Sequence, residues 1–231
     1  MPIHKYFVQE NARRSEIDEF LSQDLKRAGY SRVEMTKTPL GTRVVVYAAK
    51  PGLVIGRRGE SIRDLTQVLE QRFGVQNPQI SVATLEAPEL DAKVVASQIA
   101  MALQRGIHFR RAAYWALQRT IEAGALGVEI SIRGKLTTDR ARYEKYKAGY
   151  LPSVGEAISK LVRFAVVDTQ LKQGLFGIRV RLMPPNVSLP DKPTIRDVPT
   201  QPVQPKPEVE QAPVETGAVK EVAEAAHIEE A

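Results

Sequence analysis

Residues 52–59 have the sequence Gly-Leu-Val-Ile-Gly-Arg-Arg-Gly. The residues before them, 42–49, form a continuous run rich in β-branched side chains, which favours a strand. The residues after them repeat apolar side chains at helical spacing up to Gly74, at positions Ile62, Leu65, Leu69 and Phe73. The sequence therefore predicts a strand, a short glycine turn and an amphipathic helix in succession.

A Gly-x-x-Gly pair is a weak signal by itself. About one pair is expected by chance at this glycine content, and the sequence has three, at residues 56–59, 124–127 and 174–177. Only the first follows a strand and opens a helix, with Arg57 and Arg58 in the gap. There the glycines would admit a nucleic-acid backbone, and helix N–H groups and both arginines would attract phosphate. The alternative is a tight glycine turn without a ligand.

The segments on either side of this turn extend the pattern. Residues 1–14 are predicted to form a flexible basic arm, followed by a helix from Ser15, where a hydroxyl precedes a carboxylate by three residues, to a stop at Gly29. A turn at residues 39–41 would close a hairpin, and Pro88 marks a domain boundary. The predicted strands of this half are residues 32–37, 42–49 and 79–85.

The second half predicts two helices followed by strands. The helices would cover residues 90–105 and 110–123, and the strands residues 128–132, 158–170 and 177–183. Residues 135–150 mix Lys, Arg and Tyr without a clear period, so we expect a flexible basic arm there. From Val187 the chain is rich in Pro, Glu, Val and Ala, which predicts a disordered tail over residues 187–231.

Charge is distributed unevenly along the chain. The net charge is +6, but residues 187–231 hold 4 Lys/Arg against 9 Asp/Glu, which leaves 29 Lys/Arg and 18 Asp/Glu, or +11, in residues 1–186. A body this basic indicates a polyanionic partner. Surplus lysine on a solvated surface is the alternative, so charge alone is weak support for nucleic-acid binding.

Several function classes lack their sequence signals. Without cysteine there is no disulfide, thiolate zinc site or Cys nucleophile, and His4, His108 and His227 have no metal-ligand spacing. No G-x-S-x-G or P-loop pattern occurs. The N-terminus has no apolar run typical of a signal or membrane segment. We therefore expect a soluble, cytoplasmic, non-enzymatic protein with no cofactor, no metal, no membrane contact and no small-molecule substrate.

The predicted order of elements around residues 54–59 resembles the KH module in its type II arrangement, with these residues similar to its signature loop. From residue 1 to about 197 the chain resembles small-subunit ribosomal protein three, of the archaeal and eukaryotic type. Besides the loop, the segments that carry this resemblance are residues 108–114 (HFRRAAY), 122–127 (EAGALG), 132–136 (IRGKL) and 173–180 (QGLFGIRV).

The resemblance implies an α+β fold of two small domains and the tail. Residues 15–87 would form a type II KH domain, a three-stranded sheet with helices on one face, and residues 88–186 an α+β domain with two helices on an antiparallel sheet. The family implies a place in the head of the small ribosomal subunit, on its solvent side. Its partners there would be small-subunit rRNA, neighbouring head proteins and mRNA at the channel through which mRNA enters.

The predicted RNA-binding residues form three groups. The resemblance implies mRNA contact for the pair Arg110 and Arg111. Bacterial relatives carry a further basic residue three positions after the second arginine. Here that position is Tyr114, so a role in unwinding mRNA is not inferred. Solvated arginines, or arginines touching the N-terminal arm, are the alternative. The full set is Gly56, Arg57, Arg58 and Gly59; Arg110 and Arg111; and Lys135, Arg140, Arg142, Lys145 and Lys147.

Tyrosines are interleaved with the last of these groups, at Tyr143, Tyr146 and Tyr150. They could stack on unpaired bases or anchor an irregular loop by packing. Two functional alternatives also remain open: a free-standing KH regulator or assembly factor, and a nuclease or lyase acting on damaged DNA. Such a lyase needs an activated lysine, which a sequence alone does not reveal.

Overall fold

A computed structural model describes residues 3–185 and 187, and places them in two sheets with helices. The predicted disordered tail lies outside the described residues except for Val187. The helices are α1 (Ile3–Asp24), α2 (Pro51–Ile55), α3 (Glu60–Phe73), α4 (Ala92–Gln104), α5 (Phe109–Glu122) and α6 (Glu156–Leu161). The strands are β1 (Tyr30–Thr38), β2 (Gly41–Ala48), β3 (Pro78–Thr84), β4 (Gly127–Gly134), β5 (Arg142–Gly149), β6 (Arg163–Leu171) and β7 (Gly174–Met183).

The first sheet has the order β1-β2-β3, with β1 antiparallel and β3 parallel to the central strand β2. Alternate residues of β2 face a core filled by α1 and α3, because side chains of a strand point to opposite faces. This core contains Ile17, Leu21, Val44, Val46, Ala48, Leu65 and Leu69. The predicted hairpin turn is confirmed, since Thr38 pairs with Gly41 across it.

The second sheet is antiparallel throughout and has the order β5-β4-β7-β6. Helices α4 and α5 cover one face, where they bury an apolar layer that includes Ile99, Phe109, Ala113, Ile130, Ile178 and Val180. The α+β fold class is thus confirmed. Both sheets belong to one compact unit, and the predicted boundaries at residues 88 and 187 stay predictions.

The prediction of a flexible arm over residues 1–14 is wrong for residues 3–14, which are helical. Helix α1 begins at Ile3 rather than at Ser15. Residues 3–24 contain no glycine or proline, so no residue before Ser15 opposes helix formation strongly. Lys37 on β1 also holds this half of the helix. Its Nζ lies 3.0 Å from both Tyr6 Oη and Glu10 Oε1.

Two segments of the second half also differ from the prediction. Residues 142–149, expected within a flexible arm, form the edge strand β5, which pairs with β4 over its whole length. The strand expected over residues 158–170 begins only at Arg163, because residues 158–161 belong to the short helix α6. This helix begins after Gly155 and contains a Glu156–Lys160 ion pair one turn apart. Within residues 3–185, no helix combines the length and apolar character needed to cross a membrane.

Candidate nucleic-acid interface

The Gly-x-x-Gly turn joins α2 to α3 through one turn of 3₁₀ helix, and its two glycines are required for different reasons. Gly56 has φ +73° and ψ −176°, a conformation almost confined to glycine. A β-carbon there would overlap Ser61 Oγ and lie 2.8 Å from Ser61 Cβ. Gly59 has φ +77° and ψ 19°, and a β-carbon there would meet no neighbouring heavy atom within 4 Å. Gly56 is thus fixed by contact and conformation, and Gly59 by conformation alone.

Arg57 and Arg58 are both exposed on this turn. Arg58 adopts the left-handed conformation with φ +55°, which is uncommon for a side chain larger than glycine. Neither arginine joins any ion pair among residues 3–185. Two free guanidinium groups therefore stand at the start of α3, which no side chain caps.

An apolar surface lies beside these charges. Leu53 and Ile55 of α2 are 55% and 41% exposed, while Val54 between them is fully buried. Exposed apolar side chains next to cations match the needs of an unpaired nucleotide, since a base has an apolar face and its phosphate is an anion. Neither residue belonged to the predicted set, although their position directly before Gly56 could have indicated them.

The structure separates Arg110 from Arg111. The Arg110 guanidinium binds the Glu144 carboxylate on β5 at two points, and the Tyr146 hydroxyl donates a hydrogen bond of 2.5 Å to the same carboxylate. The hydrogen bonds from Arg110 and from this hydroxyl lower the pKa of Glu144. Arg111, the next residue of α5, lies on another side of the helix and has no ion pair within the described chain.

Tyr114, three residues after Arg111, packs on Tyr146. Their ring centres are 5.1 Å apart in an edge-to-face arrangement, and Tyr114 remains 60% exposed. Burial raises the pKa of Tyr146. Of the tyrosines interleaved with the basic residues, Tyr146 is thus a packing residue, whereas Tyr143 is 67% exposed and Tyr150 48% exposed.

The predicted basic stretch is divided between a loop and a strand. Lys135 and Arg140 lie in the loop between β4 and β5, and Arg142 begins β5. Lys145 and Lys147 alternate with the inward-facing Tyr146, so they lie on the sheet face opposite α4 and α5.

That face carries further cations that the prediction missed. Lys147 lies in register with Glu129 and Arg181, and Lys145 with Ser131 and Arg179, across β5, β4 and β7. Arg133 follows two residues after Ser131 on the same face. We define the basic sheet face as Arg133, Lys145, Lys147, Arg179 and Arg181. The alternation of Arg179 and Arg181 with apolar residues indicated exposure, but the strand order that joins them to Lys145 is a tertiary property.

Acidic residues compensate this face only in part. Glu129 lies 3.3 Å from Lys145 and 3.9 Å from Arg181. Arg179 and Arg133 instead lie 5.7 and 5.9 Å from the ring centres of the exposed Phe164 and Tyr143. The face thus combines uncompensated cations with accessible aromatic rings, which suits phosphates and unpaired bases.

Among residues 3–185 and 187, no three side chains of the metal-ligating types cluster so as to hold an ion. His4 lies on α1 and His108 precedes α5, and His227 is outside the described residues.

Comparison with known families covers both sheets. The KH domain family model matches residues 16–90, and the model for the C-terminal domain of ribosomal protein S3 matches residues 99–182.

Full-length relatives agree with these matches. The chain is 46% identical over 199 residues to small ribosomal subunit protein uS3 of Methanococcus aeolicus, covering 86% of this chain and 96% of the relative. It is 48% identical over 195 residues to the protein of the same name from Methanocaldococcus jannaschii (84% and 94%) and 44% identical over 200 residues to that of Saccharolobus solfataricus (87% and 87%). The chain belongs to the small ribosomal subunit protein uS3 family.

Proposed function

We propose that the chain is a structural component of the small ribosomal subunit in the cytoplasm, where it binds rRNA in the subunit head and helps to form the channel through which mRNA enters. Family membership and the geometry of the Gly-x-x-Gly turn support this proposal. RNA binding is best supported by the pair Arg57 and Arg58, which are exposed and have no ion pair among residues 3–185. They lie between two glycines of positive φ at the start of α3.

The binding surfaces would contact RNA in different ways. The turn at residues 56–59 would hold single-stranded RNA by its backbone, and the basic sheet face and the loop with Lys135 and Arg140 would contact rRNA phosphates. Neighbouring head proteins would meet the remaining surface. Sequence preference should be slight, since these contacts are directed at phosphates rather than base edges.

Of the arginine pair, Arg111 is the better candidate for mRNA contact. It is exposed and has no acidic partner among the described residues, whereas Arg110 must first leave Glu144 to bind a phosphate. A carboxylate at 3.0 Å competes directly with any phosphate for the same N–H donors.

Co-sedimentation tests the assignment. The tagged chain should remain with small subunits through a high-salt sucrose gradient, because a ribosomal protein is held by many simultaneous contacts. An assembly factor would be released, since a few phosphate contacts weaken steeply with salt. Free protein at the top of the gradient, or cleavage of abasic DNA by that free protein, would favour the factor or the lyase instead.

A further inference from the structure

A groove of about 900 Å³ lies between the first sheet's loops and helices α4 and α5. One wall is the 3₁₀ turn before β1 and the end of β2, and the other is the α4–α5 corner with the first two turns of α5. We call it the Trp115 groove and define it by its Arg, Lys and aromatic lining, namely Arg27, Lys50, Arg105, His108, Arg111, Trp115 and Arg119.

The charges on this groove have one sign. Five of its lining residues are Arg or Lys and none is Asp or Glu. Arg119 is compensated, since its Nε lies 2.6 Å from Glu89. Arg27, Lys50, Arg105 and Arg111 are exposed and have no ion pair within the described part of the chain. Four exposed cations without an ion pair in the described chain, placed around one concavity, attract anionic ligands to it.

The walls are held in place by the backbone. Ala49 N–H donates to Gly29 O and Lys50 N–H to Ala28 O, both at 3.0 Å, which fixes Lys50 beside the turn. On the other wall Ile107 N–H donates to Ala102 O at 3.1 Å and closes the α4–α5 corner after Arg105. Lys93 of α4 also binds Asp18 of α1 at 3.2 Å. The cations are therefore carried by a preformed surface.

An exposed aromatic ring distinguishes the kind of anion. Trp115 is 48% exposed in the groove, and the Arg119 guanidinium lies 5.2 Å from its ring centre. An acidic peptide would need the cations alone. An unpaired nucleotide uses both features, because its base stacks on an aromatic ring while its phosphates bind guanidinium groups at two points.

We propose that the Trp115 groove binds a segment of single-stranded RNA, with one unpaired base stacked on Trp115 and the flanking phosphates on Lys50, Arg105 and Arg111. This site extends the proposed RNA-binding function, but it shares no residue with the Gly-x-x-Gly turn or the basic sheet face. Arg111 belongs also to the mRNA proposal, so the test leaves it unchanged.

Trp115 is the only tryptophan of the chain, so its fluorescence reports on this groove directly. The full-length protein is titrated with a short oligoadenylate, while anisotropy of a dye on the RNA measures total binding. Stacking should quench the emission about twofold or more, and Trp115→Ala should weaken binding roughly tenfold. Inorganic polyphosphate, which has no bases, should bind without this quenching.

Charge variants locate the phosphates. Lys50→Glu with Arg105→Glu should raise the RNA concentration at half-quenching about tenfold or more at low salt. The matched control is Lys160→Glu with Lys172→Glu, two exposed lysines outside the groove, which should leave it unchanged. Circular dichroism verifies that each variant is folded.

Variants in the turn separate this inference from the proposed function. Arg57→Asp with Arg58→Asp should reduce total RNA binding and leave the quenching by bound RNA intact. Oligoadenylate that binds the wild-type chain with unchanged Trp115 emission overturns the groove alone. No RNA binding by any form of the chain overturns both proposals. An oligoglutamate peptide that alters the emission when oligoadenylate does not would make the groove an acidic-peptide site.

Discussion

The guanidinium of Arg110 on α5 holds the carboxylate of Glu144 on β5 in a two-point contact, with Nε at 3.2 Å from one oxygen and Nη2 at 3.0 Å from the other. The contact joins helix α5 to the edge strand β5, and the ring of Tyr146 on β5 also packs on that of Tyr114 on α5. Arg110 is therefore paired with a carboxylate, whereas Arg111 beside it has no ion pair among the described residues. Two arginines adjacent in sequence thus differ in their ability to bind a phosphate.

The first prediction concerns the pKa of Glu144, which Arg110 and Tyr146 lower. A carboxyl whose folded pKa is depressed stabilises the fold above its unfolded pKa, about 4.3 for Glu, and this stabilisation is lost as pH falls through the lowered value. Arg110→Ala should move the pKa of Glu144 up toward the ordinary range, as followed by NMR of its carboxyl carbon. Arg119→Ala, on the same helix but paired with Glu89, serves as the control. An unshifted Glu144 titration in Arg110→Ala would show that the two groups do not interact in solution.

The second prediction separates the two glycines of the turn. Gly59→Ala should cost about 1–2 kcal/mol of unfolding free energy for its left-handed backbone, whereas Gly56→Ala adds an overlap with Ser61 that costs roughly another 1–3 kcal/mol. Gly59→Asn should be tolerated better than Gly56→Asn, since Asn accepts the left-handed conformation of residue 59 but not that of residue 56. Urea unfolding measures each variant. Equal losses at the two positions would contradict the contact between residues 56 and 61.

The third prediction concerns the charges between those glycines. Arg57→Asp with Arg58→Asp keeps both glycines and leaves no buried contact unmade, so the circular dichroism spectrum should stay native. Affinity for single-stranded RNA should fall well over tenfold at low salt, because two attractions to phosphate become two repulsions. Filter binding measures the loss, with Lys160→Asp and Lys172→Asp as the charge-matched control. Wild-type affinity in the folded variant would remove the turn from the RNA-binding surface.

The turn itself was predictable because its signal is local. Glycine spacing, the preceding β-branched run and the helical period after it all lie within residues 42–74, and each element formed where expected. The first half of the N-terminal helix was missed because Ser15 offered a local start signal, although no glycine or proline lies in residues 3–14. Part of the stabilisation of this half is tertiary, since Lys37 of the later strand β1 contacts Tyr6 and Glu10.

Strand β5 and the candidate sites also depend on contacts that are distant in sequence, which local sequence patterns do not predict. Residues 142–149 have little apolar content and form a strand because β4 supplies partners along the entire edge. The basic sheet face and the Trp115 groove both depend on such long-range neighbours. The basic residues could be found in the sequence, but which of them share a surface, and which are neutralised as Arg110 is by Glu144, depends on packing.

The fourth prediction tests the basic sheet face by salt dependence. Each phosphate contact contributes about one unit to the slope of log affinity against log salt concentration. Lys147→Ala with Arg179→Ala should therefore lower the slope for binding to an rRNA fragment of the subunit head by about two, with similar losses for unrelated sequences of the same shape. Lys160→Ala with Lys172→Ala should not change the slope. A slope equal to wild type would mean that this face meets a protein or solvent rather than RNA.

The last prediction follows from the contact between Arg110 and Glu144. If α5 lines the path of mRNA, Arg111 can hold a phosphate as it stands, whereas Arg110 is occupied by Glu144. Arg111→Ala should therefore weaken the positioning of mRNAs that extend through the channel more than Arg110→Ala does, and neither should affect mRNAs that end before it. Glu144→Gln removes the competing charge, and in that background Arg110→Ala should become as harmful as Arg111→Ala. Toeprinting on reconstituted subunits with short and extended mRNAs measures all four variants, after gradient analysis verifies equal incorporation. Equal effects of Arg110→Ala and Arg111→Ala with Glu144 intact would show that the ion pair opens on the ribosome, and equal effects on short and extended mRNAs would assign both arginines to rRNA or to the fold.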